Sequence, residues 1–311
     1  MRKRVGGTAM ALPTPHLEKL KAALANEKLP ANDRAVIEAT VERYGDWIDA
    51  LAAIESGREE TLPELVALLT DYRLFVDLNA IFDSPDDFLY RQKGQLKLDN
   101  SVIEEFLPHL VAKMLPKLAE QFDMGPRSCF SALYFSSSLS HSETGGGPLV
   151  RVKDQDFAIS RPLFLRSSHD AAFAESVSQQ THIGLICAEC KTNLDKTMFQ
   201  EAAATAHDVK TAVPGAKYFL LCEWLDMTPV STAATDIDEV LILRKSKRMG
   251  SHLRKRYGSA AGRKSAREEH ELFLRSNPFA VPVFARFIGH IASMFEDTDP
   301  SEDSVLEKGY F

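Results

Sequence analysis

The 311-residue sequence contains no run of about 18 uncharged apolar residues, the length that a membrane-spanning helix requires. It therefore predicts no transmembrane helix and no membrane partner. The N-terminus, Met1 to Gly7, is basic, but no apolar segment follows it. This pattern indicates neither a signal peptide nor a membrane anchor, and Met10 is an alternative start of translation.

Cysteine is scarce, with only four residues in the whole chain. Four cysteines in a chain of this length do not form a disulfide scaffold, so we expect a protein of the reducing cytoplasm. Cys187 and Cys190 have the spacing of zinc ligands, but the sequence offers no second pair of this kind and no spaced histidine pair. Residues three apart on a strand face opposite sides, so we expect no shared metal ion here.

Two common catalytic motifs are also missing. The sequence has no Gly-x-Ser-x-Gly, which excludes the usual nucleophile turn of the α/β-hydrolases. Its three consecutive glycines, Gly145 to Gly147, are not followed by the Gly-Lys-Ser/Thr of a phosphate-binding loop. Residues 136–148, which contain these glycines, are typical of a mobile loop.

The chain is acidic overall, and its positive charge is concentrated in one segment. The net charge is −7, yet residues 244–267 contain ten Lys and Arg and no acid, so the rest of the chain carries 27 basic against 44 acidic residues. This contrast predicts contact with a phosphate backbone, although a solvated helix is the alternative interpretation. Three glycines in the segment favour a flexible element. The residues expected to bind DNA are Lys245, Lys247, Arg248, Arg254, Lys255 and Arg256.

Helical patterning dominates the first part of the chain, and we interpret residues 1–95 as a helical subdomain. A further helix is expected near Ser101, with Ser101 and Glu104 as its capping box. Strand patterns follow at 129–135, 149–159, 163–166 and 183–191, then a helix at 195–209 and strands at 218–225 and 240–243. These elements predict a mixed α/β (α+β) fold, a mixed sheet flanked by helices. Residues 296–311 form an acidic tail, expected to lack regular structure.

The segment that indicates chemistry ends in Ala188-Glu-Cys-Lys191. On a strand, Glu189 and Lys191 project from the same side, and placing both charges at the end of an apolar strand is costly unless something uses them. Asp156 directly precedes another apolar strand. Two carboxylates, the Cys190 backbone carbonyl and phosphate oxygens suit Mg²⁺. Lys191 would orient or deprotonate the attacking water, or stabilise the developing charge.

Asp156 and Glu189-x-Lys191, in the order helix, three strands, helix and strand, resemble the PD-(D/E)xK nuclease superfamily. The words Phe88-Leu-Tyr-Arg-Gln-Lys-Gly-Gln-Leu-Lys-Leu-Asp-Asn-Ser101, Asp154-Gln-Asp-Phe157 and Glu189-Cys-Lys-Thr-Asn193 resemble type II restriction endonucleases related to BbvCI. The resemblance implies a restriction-endonuclease-like domain over residues 96–295. It also implies cleavage of double-stranded DNA at a short, asymmetric, CCTNAGC-like site by paired subunits that each cut one strand.

Several assignments stay open. No proline precedes Asp156, so Asp154 competes as the first metal ligand. Glu104 is a candidate helix carboxylate for the metal, or else only a capping-box acid. Gln200 would touch Lys191 or the DNA backbone, or else face solvent. The partner is a second homologous subunit or a second copy of this chain. A nuclease of DNA repair or recombination and a non-catalytic DNA-binding subunit are the alternative functions.

Overall fold

Helices surround one five-stranded mixed sheet in this computed structural model, which describes residues 12–135, 144–296 and 301–310. The helices are α1 Pro15–Leu24, α2 Ala31–Ala53, α3 Thr61–Phe75, a π-helical segment Val76–Phe82, α4 Phe88–Leu96, α5 Asn100–Met114, α6 Pro116–Ala119, a 3₁₀ turn Thr144–Gly146, α7 Lys196–Ala212, α8 Ser251–Arg256, α9 Ala260–Ser265, α10 Arg267–Ser276, α11 Val281–Glu296 and α12 Glu302–Lys308. The strands are β1 Asp123–Phe135, β2 Pro148–Ser167, β3 Val177–Leu194, β4 Lys217–Leu225 and β5 Glu239–Lys247.

The sheet has the order β1-β2-β3-β4-β5. The first three strands are antiparallel neighbours, whereas β3, β4 and β5 run parallel. The predicted mixed α/β class is confirmed. The prediction of separate strands at 149–159 and 163–166 is wrong, because both belong to the 20-residue β2. Pro162 lies inside that strand, opposite His182 of β3, since the fixed φ of proline is compatible with a strand.

A bulge in β2 lies beside Asp156. Gly125 of β1 pairs with Ala158 and Arg127 pairs with Gln155, so Asp156 and Phe157 together face the single residue Pro126. Proline has no backbone N–H to donate, which suits a position where the ladder is interrupted. A bulge of this kind changes the direction of the side chain it contains.

One large hydrophobic core joins the N-terminal helices to the sheet. It contains Trp47 of α2, Phe106 of α5, Phe157 of β2 and Phe219 of β4, together with Phe287 of α11. The core is therefore continuous across residue 95, and the division into a helical subdomain and a nuclease domain stays a prediction. A second cluster packs α7 against the other face of β3 and β4.

A buried ionic bridge also crosses that division. The Arg73 guanidinium of α3 lies 3.0 Å from one oxygen of Glu223, a β4 residue that is 1% exposed. Arg244 of β5 lies 3.0 Å from the other oxygen. Because both arginines share one buried carboxylate, the bridge ties α3 to the centre of the sheet.

Two local predictions fail. Ser101 does not form a capping box with Glu104, because its hydroxyl donates to the Lys97 carbonyl while Glu104 accepts from the side chain of Asn100. The acidic tail was expected to lack regular structure, but Glu302–Lys308 forms an exposed helix capped by the Ser301 side chain. The predicted mobile loop lies mainly in residues 136–143, outside the described residues.

Among the described helices, no single one is long and apolar enough to cross a membrane. The pair Arg267–Ser276 and Val281–Phe295 passes such a test only jointly, with a bend of 47° between its halves.

Candidate active site and DNA interface

The candidate active site begins where β2 and β3 separate. Their last backbone pair is Phe157 with Ala188. Beyond it, the Cys190 N–H donates to Asp156 Oδ2 at 2.8 Å, so a side chain replaces the next strand contact. On the carbonyl side, Asn100 Nδ2 of α5 donates to Cys190 O at 2.9 Å. The Cys190 peptide is thus held by residues from β2 and α5.

Glu189 and Lys191 meet on the side of β3 that faces α7. The Lys191 Nζ lies 2.6 Å from Glu189 Oε1, and the Tyr218 hydroxyl donates to Glu189 Oε2 at 3.3 Å. Burial lowers the pKa of Lys191, but the ion pair with Glu189 outweighs it and the net pKa is raised. Burial and the Glu189 charge raise the pKa of Tyr218. At neutral pH the site therefore holds an ammonium and an intact phenol donor.

Glu104 faces this site from α5. Its Oε1 accepts a hydrogen bond from Asn100 Nδ2 at 2.9 Å, and the residue is 5% exposed. Burial, followed by the charge of Asp156, raises the pKa of Glu104 to about 7. Burial also raises the pKa of Asp156, against the opposing effect of the Cys190 N–H. Two buried carboxyls that resist ionisation together are what a bound cation would stabilise as carboxylates.

The donor set fits magnesium. Asp156, Glu189, Glu104 and the Cys190 carbonyl supply only oxygen, and Mg²⁺ binds a few protein oxygens while keeping several waters. Across residues 12–135, 144–296 and 301–310, no three His, Cys, Asp or Glu side chains form a ready metal cluster. One Asn100 amide nitrogen bonds both the Glu104 and the Cys190 oxygens. The Asn100 amide therefore links two of the candidate ligand oxygens.

The two alternative candidates lie apart from this centre. Asp154 is exposed on β2 and accepts a hydrogen bond from Ser128 Oγ at 2.5 Å. Gln200 is exposed on α7 and, within the described part of the chain, makes no hydrogen bond with Lys191. Its neighbour Glu201 is the α7 residue whose charge acts on Lys191. The structure places Asp156 where its charge interacts with Glu189 and Lys191 on one hand and with Glu104 on the other, and it leaves Asp154 and Gln200 on the surface.

The basic segment runs from the end of β5 through α8 and α9 to the start of α10. All six of its arginines have acidic partners: Arg244 with Glu223, Arg248 and Arg254 with Asp226, Arg256 with Glu269, Arg263 with Asp87, and Arg267 with Asp83 and Glu271. Its four lysines are exposed and form no ion pair with any described residue: Lys245, Lys247, Lys255 and Lys264. The lysines are therefore the charges that are free for an external anion.

Glycine in this segment has a packing role as well. A Cβ on Gly262 would lie 1.9 Å from the Arg256 carbonyl oxygen, so only glycine fits there. Gly262 also follows Ser259, whose side chain caps α9. Gly262 therefore allows close packing of two short helices, and the flexibility of the segment stays a prediction.

Sequence reasoning missed two residues of the site. Asn100 was read only as part of a helix start, although it bonds two of the candidate metal ligands. Tyr218 was read as part of an apolar strand, but its hydroxyl reaches Glu189. A phenol within an otherwise apolar buried strand was the available signal, since a buried hydroxyl needs a partner.

Comparison with known proteins shows the family of this chain. The family model for the Bpu10I restriction endonuclease matches residues 95–311. A solved structure of the native BbvCI A2B2 tetramer has a similar fold, with a TM-score of 0.53 and 20% identity over 77% of this chain and 86% of that one. No curated protein sequence matches. The family model covers well over half of this chain. The chain therefore belongs to the Bpu10I restriction endonuclease family and is a type II restriction endonuclease, an enzyme that cuts DNA at specific sites.

Proposed function

We propose that this chain hydrolyses phosphodiester bonds of double-stranded DNA at a short specific site, with Mg²⁺ as its cofactor and with Asp156, Glu189 and Lys191 as catalytic residues. One observation carries the proposal. The Asp156 carboxylate holds the Cys190 peptide, and on either side of Cys190 stand Glu189 and Lys191, joined to each other at 2.6 Å. Two carboxylates and an ammonium thus meet at one strand end.

Each residue then has a role that its surroundings support. Asp156 and Glu189, with the Cys190 carbonyl, would hold the magnesium ion, and Glu104 would add a further oxygen. The bound ion supplies an acidified water and neutralises charge on the phosphate. Lys191 is held as an ammonium by Glu189, so it would bind a phosphate oxygen and stabilise the charge that develops there. Tyr218 keeps Glu189 oriented.

DNA contact would come from the unpaired lysines of the basic segment. Lys245, Lys247 and Lys255 are exposed and free of ion pairs within the described chain, whereas Arg248, Arg254 and Arg256 first have acidic partners to leave. A lysine that has no ion-pair partner can bind a phosphate without first breaking an ion pair. We therefore assign the main phosphate contacts to the lysines and secondary contacts to the three arginines.

The protein would act as a pair of subunits. One chain carries one set of catalytic residues, and a duplex has two strands to cut. The structurally similar BbvCI protein is an A2B2 tetramer, which supports assembly with a second homologous subunit. A pair of identical chains is the alternative.

Cleavage should depend on a divalent cation. The purified chain, alone and with its candidate partner subunit, is incubated with supercoiled plasmid in Mg²⁺ or in EDTA. We expect nicked or linear product only with Mg²⁺, because the carboxyls need the cation as their partner. Cutting that persists in EDTA would contradict the proposal. DNA binding without any cleavage in either mixture would favour the non-catalytic subunit instead.

A further inference from the structure

A cavity of about 290 Å³ lies at the carboxyl ends of β3 and β4, next to the catalytic residues but separate from them. Thr192, the residue after Lys191, is part of its wall. So is Asp99, the residue before Asn100, which accepts a hydrogen bond from the Thr192 hydroxyl at 3.4 Å. The carboxyl ends of parallel strands are a frequent place for ligands, so the location itself suggests binding.

Cations outnumber carboxylates in the cavity wall. Arg73, Lys93, Arg248 and Arg254 face only Asp77 and Asp99. Arg248 and Arg254 share the single carboxylate of Asp226, at 2.7 and 3.8 Å. The lining therefore keeps an excess of positive charge after its internal ion pairs are counted.

Lys93 is the cation without an acidic partner. No ion pair joins it to any residue of the described chain, and its ammonium lies 4.3 Å from the centre of the Tyr90 ring. Burial lowers the pKa of Lys93, although Asp99 and Asp77 oppose the shift. An ammonium that has lost water and gained no counterion is stabilised by a bound anion.

Flat aromatic surfaces make up much of the remaining wall. The rings are Phe82, Tyr90, Trp224, Tyr257 and Phe273. His270 stacks on Phe82 with centroids 4.2 Å apart, and its Nδ1 is buried with no hydrogen-bond partner in the described structure. Burial lowers the pKa of His270 to about 4, so this ring is neutral at pH 7. Rings together with an unused polar atom suit a planar heterocycle that also forms hydrogen bonds.

The π-helical segment gives this wall its shape. Val76–Phe82 directs Asp77, Ile81 and Phe82 into the cavity. π-Helical turns are rare and occur often at functional sites. Asp77 of this segment pairs with Arg73 of α3, and Arg73 pairs with Glu223 of β4, so ion pairs connect this wall of the cavity to the sheet.

We propose that this cavity binds a single nucleotide of the DNA substrate, with its base against the aromatic rings and its phosphate on Lys93. The inference rests on the proposed function in one respect only, which is that the bound nucleotide is part of the DNA substrate. A volume of about 290 Å³ admits one nucleotide and not a duplex. A nucleotide that enters must therefore leave the base stack, as in other enzymes that extrude a base.

Tryptophan fluorescence provides the test, because the chain has only two tryptophans and Trp224 lines the cavity. A Trp47→Phe variant leaves Trp224 as the sole reporter and breaks no hydrogen bond, since the Trp47 indole N–H has none in the described structure. This variant is titrated in EDTA with deoxynucleoside monophosphates, a mixed-sequence single-stranded oligonucleotide and inorganic phosphate. The unmodified protein, compared with Trp224→Phe, serves if Trp47→Phe proves unstable.

We expect a saturable change in Trp224 emission with mononucleotides and with the oligonucleotide, each displacing the other. Lys93→Gln should weaken both by about tenfold, the usual effect of losing a charge-assisted hydrogen bond. The matched control Lys117→Gln, an exposed lysine of α6 that forms no ion pair with any described residue, should leave them unchanged.

Four results would overturn the inference. The first is no saturable change at millimolar nucleotide, and the second is equal affinities for Lys93→Gln and Lys117→Gln. The third is an oligonucleotide that fails to displace the mononucleotide, which would indicate a free effector. An equal response to inorganic phosphate would also overturn it, since the rings would then contribute nothing. Because the titration contains no Mg²⁺, its failure leaves the nuclease proposal standing, and a failure to cleave leaves this result unaffected.

Discussion

Two aspartates lie two positions apart on β2 but differ in their exposure and in their hydrogen-bond partners. Asp156 lies in the bulge and bonds the Cys190 N–H, whereas Asp154 is exposed and bonds Ser128. We predict that Asp156→Asn lowers the cleavage rate by at least about a thousandfold, because the metal site loses a charged ligand. Asp154→Asn is the matched control and should stay within about threefold of the wild type. Initial cleavage rates on plasmid, with DNA binding measured in EDTA, would check this. An inactive Asp154→Asn variant beside an active Asp156→Asn variant would make Asp154 the metal ligand instead.

Glu104 should make stability depend on pH. Its pKa is raised by burial from 4.5 to about 7, so the folded state holds the proton more tightly than the unfolded state. The stabilisation is complete below pH 4.5 and is lost as pH rises towards 7, by up to about 3 kcal/mol. Glu104→Gln lacks this titration.

The measurement is the difference in unfolding free energy between Glu104→Gln and the wild type without metal. We expect the variant to gain relative stability as pH rises from 4.5 to 7. His109 and His270 have lowered pKa values, so their titration makes both proteins more stable as pH rises. This contribution is the same in the wild type and the variant, and it cancels in the difference of unfolding free energies. Mg²⁺ at pH 8 should stabilise the wild type more than the variant. A difference that does not change with pH would mean that Glu104 titrates normally.

Sequence alone located the residues whose pattern is local. Glu189 and Lys191 follow from strand alternation after an apolar run, and the structure places them together. The role of Asn100 could not be predicted from the sequence, because it depends on the packing of α5 against the end of β3, 90 residues away in the chain. For Glu104 the sequence offered two roles, a metal ligand or a capping-box acid. The structure rules out the capping box, because the Glu104 carboxylate accepts from the Asn100 side chain, and the role as a metal ligand stays a proposal.

Among the elements, β2 shows where strand prediction fails. The sequence patterns predicted two strands, at 149–159 and 163–166, whereas β2 is continuous through Pro162. The bulge beside Asp156 was equally invisible, since it depends on Pro126 in another strand. The absence of a proline directly before Asp156 left its assignment open, yet a proline faces it from β1. Pairing between strands, which no single segment encodes, decided both features.

The basic segment should act through its lysines. Replacing Lys245, Lys247 and Lys255 together by Gln removes up to three phosphate contacts. The slope of log affinity against log salt should then become shallower by up to about 0.9 per lost contact. Affinity should fall alike for all sequences if the lysines only position the DNA.

Fluorescence anisotropy over a salt series would measure this slope. A matched control is Lys21, Lys28 and Lys117 replaced by Gln. These three exposed lysines lie on α1, in the turn between α1 and α2, and on α6, and they form no ion pair in the described structure. This control removes the same charge elsewhere, so it separates local contact from net charge. Identical slopes for both triple variants would place the basic segment away from DNA.

At the scale of the assembly, one chain should cut one strand. In a complex with a homologous partner, Lys191→Ala in this chain should convert double-strand cleavage into nicking, since the partner keeps its own site. Agarose gels of plasmid would show open circles in place of linear DNA. Linear product at an unchanged rate would mean that this chain contributes no catalytic site, and complete loss of both products would mean that the two sites act only together.

The continuous core has a consequence for engineering the protein. The part that the family model matches begins at residue 95, but the hydrophobic core is not divided there, because Trp47, Phe106 and Phe219 belong to one core. The segment that the family model matches is thus shorter than the part of the chain that packs around that core. Grafting new N-terminal helices at that point would require them to match an existing packed surface. Exchanges between relatives meant to create new specificities are better placed in the loops around β3, β4 and α8 than at residue 95.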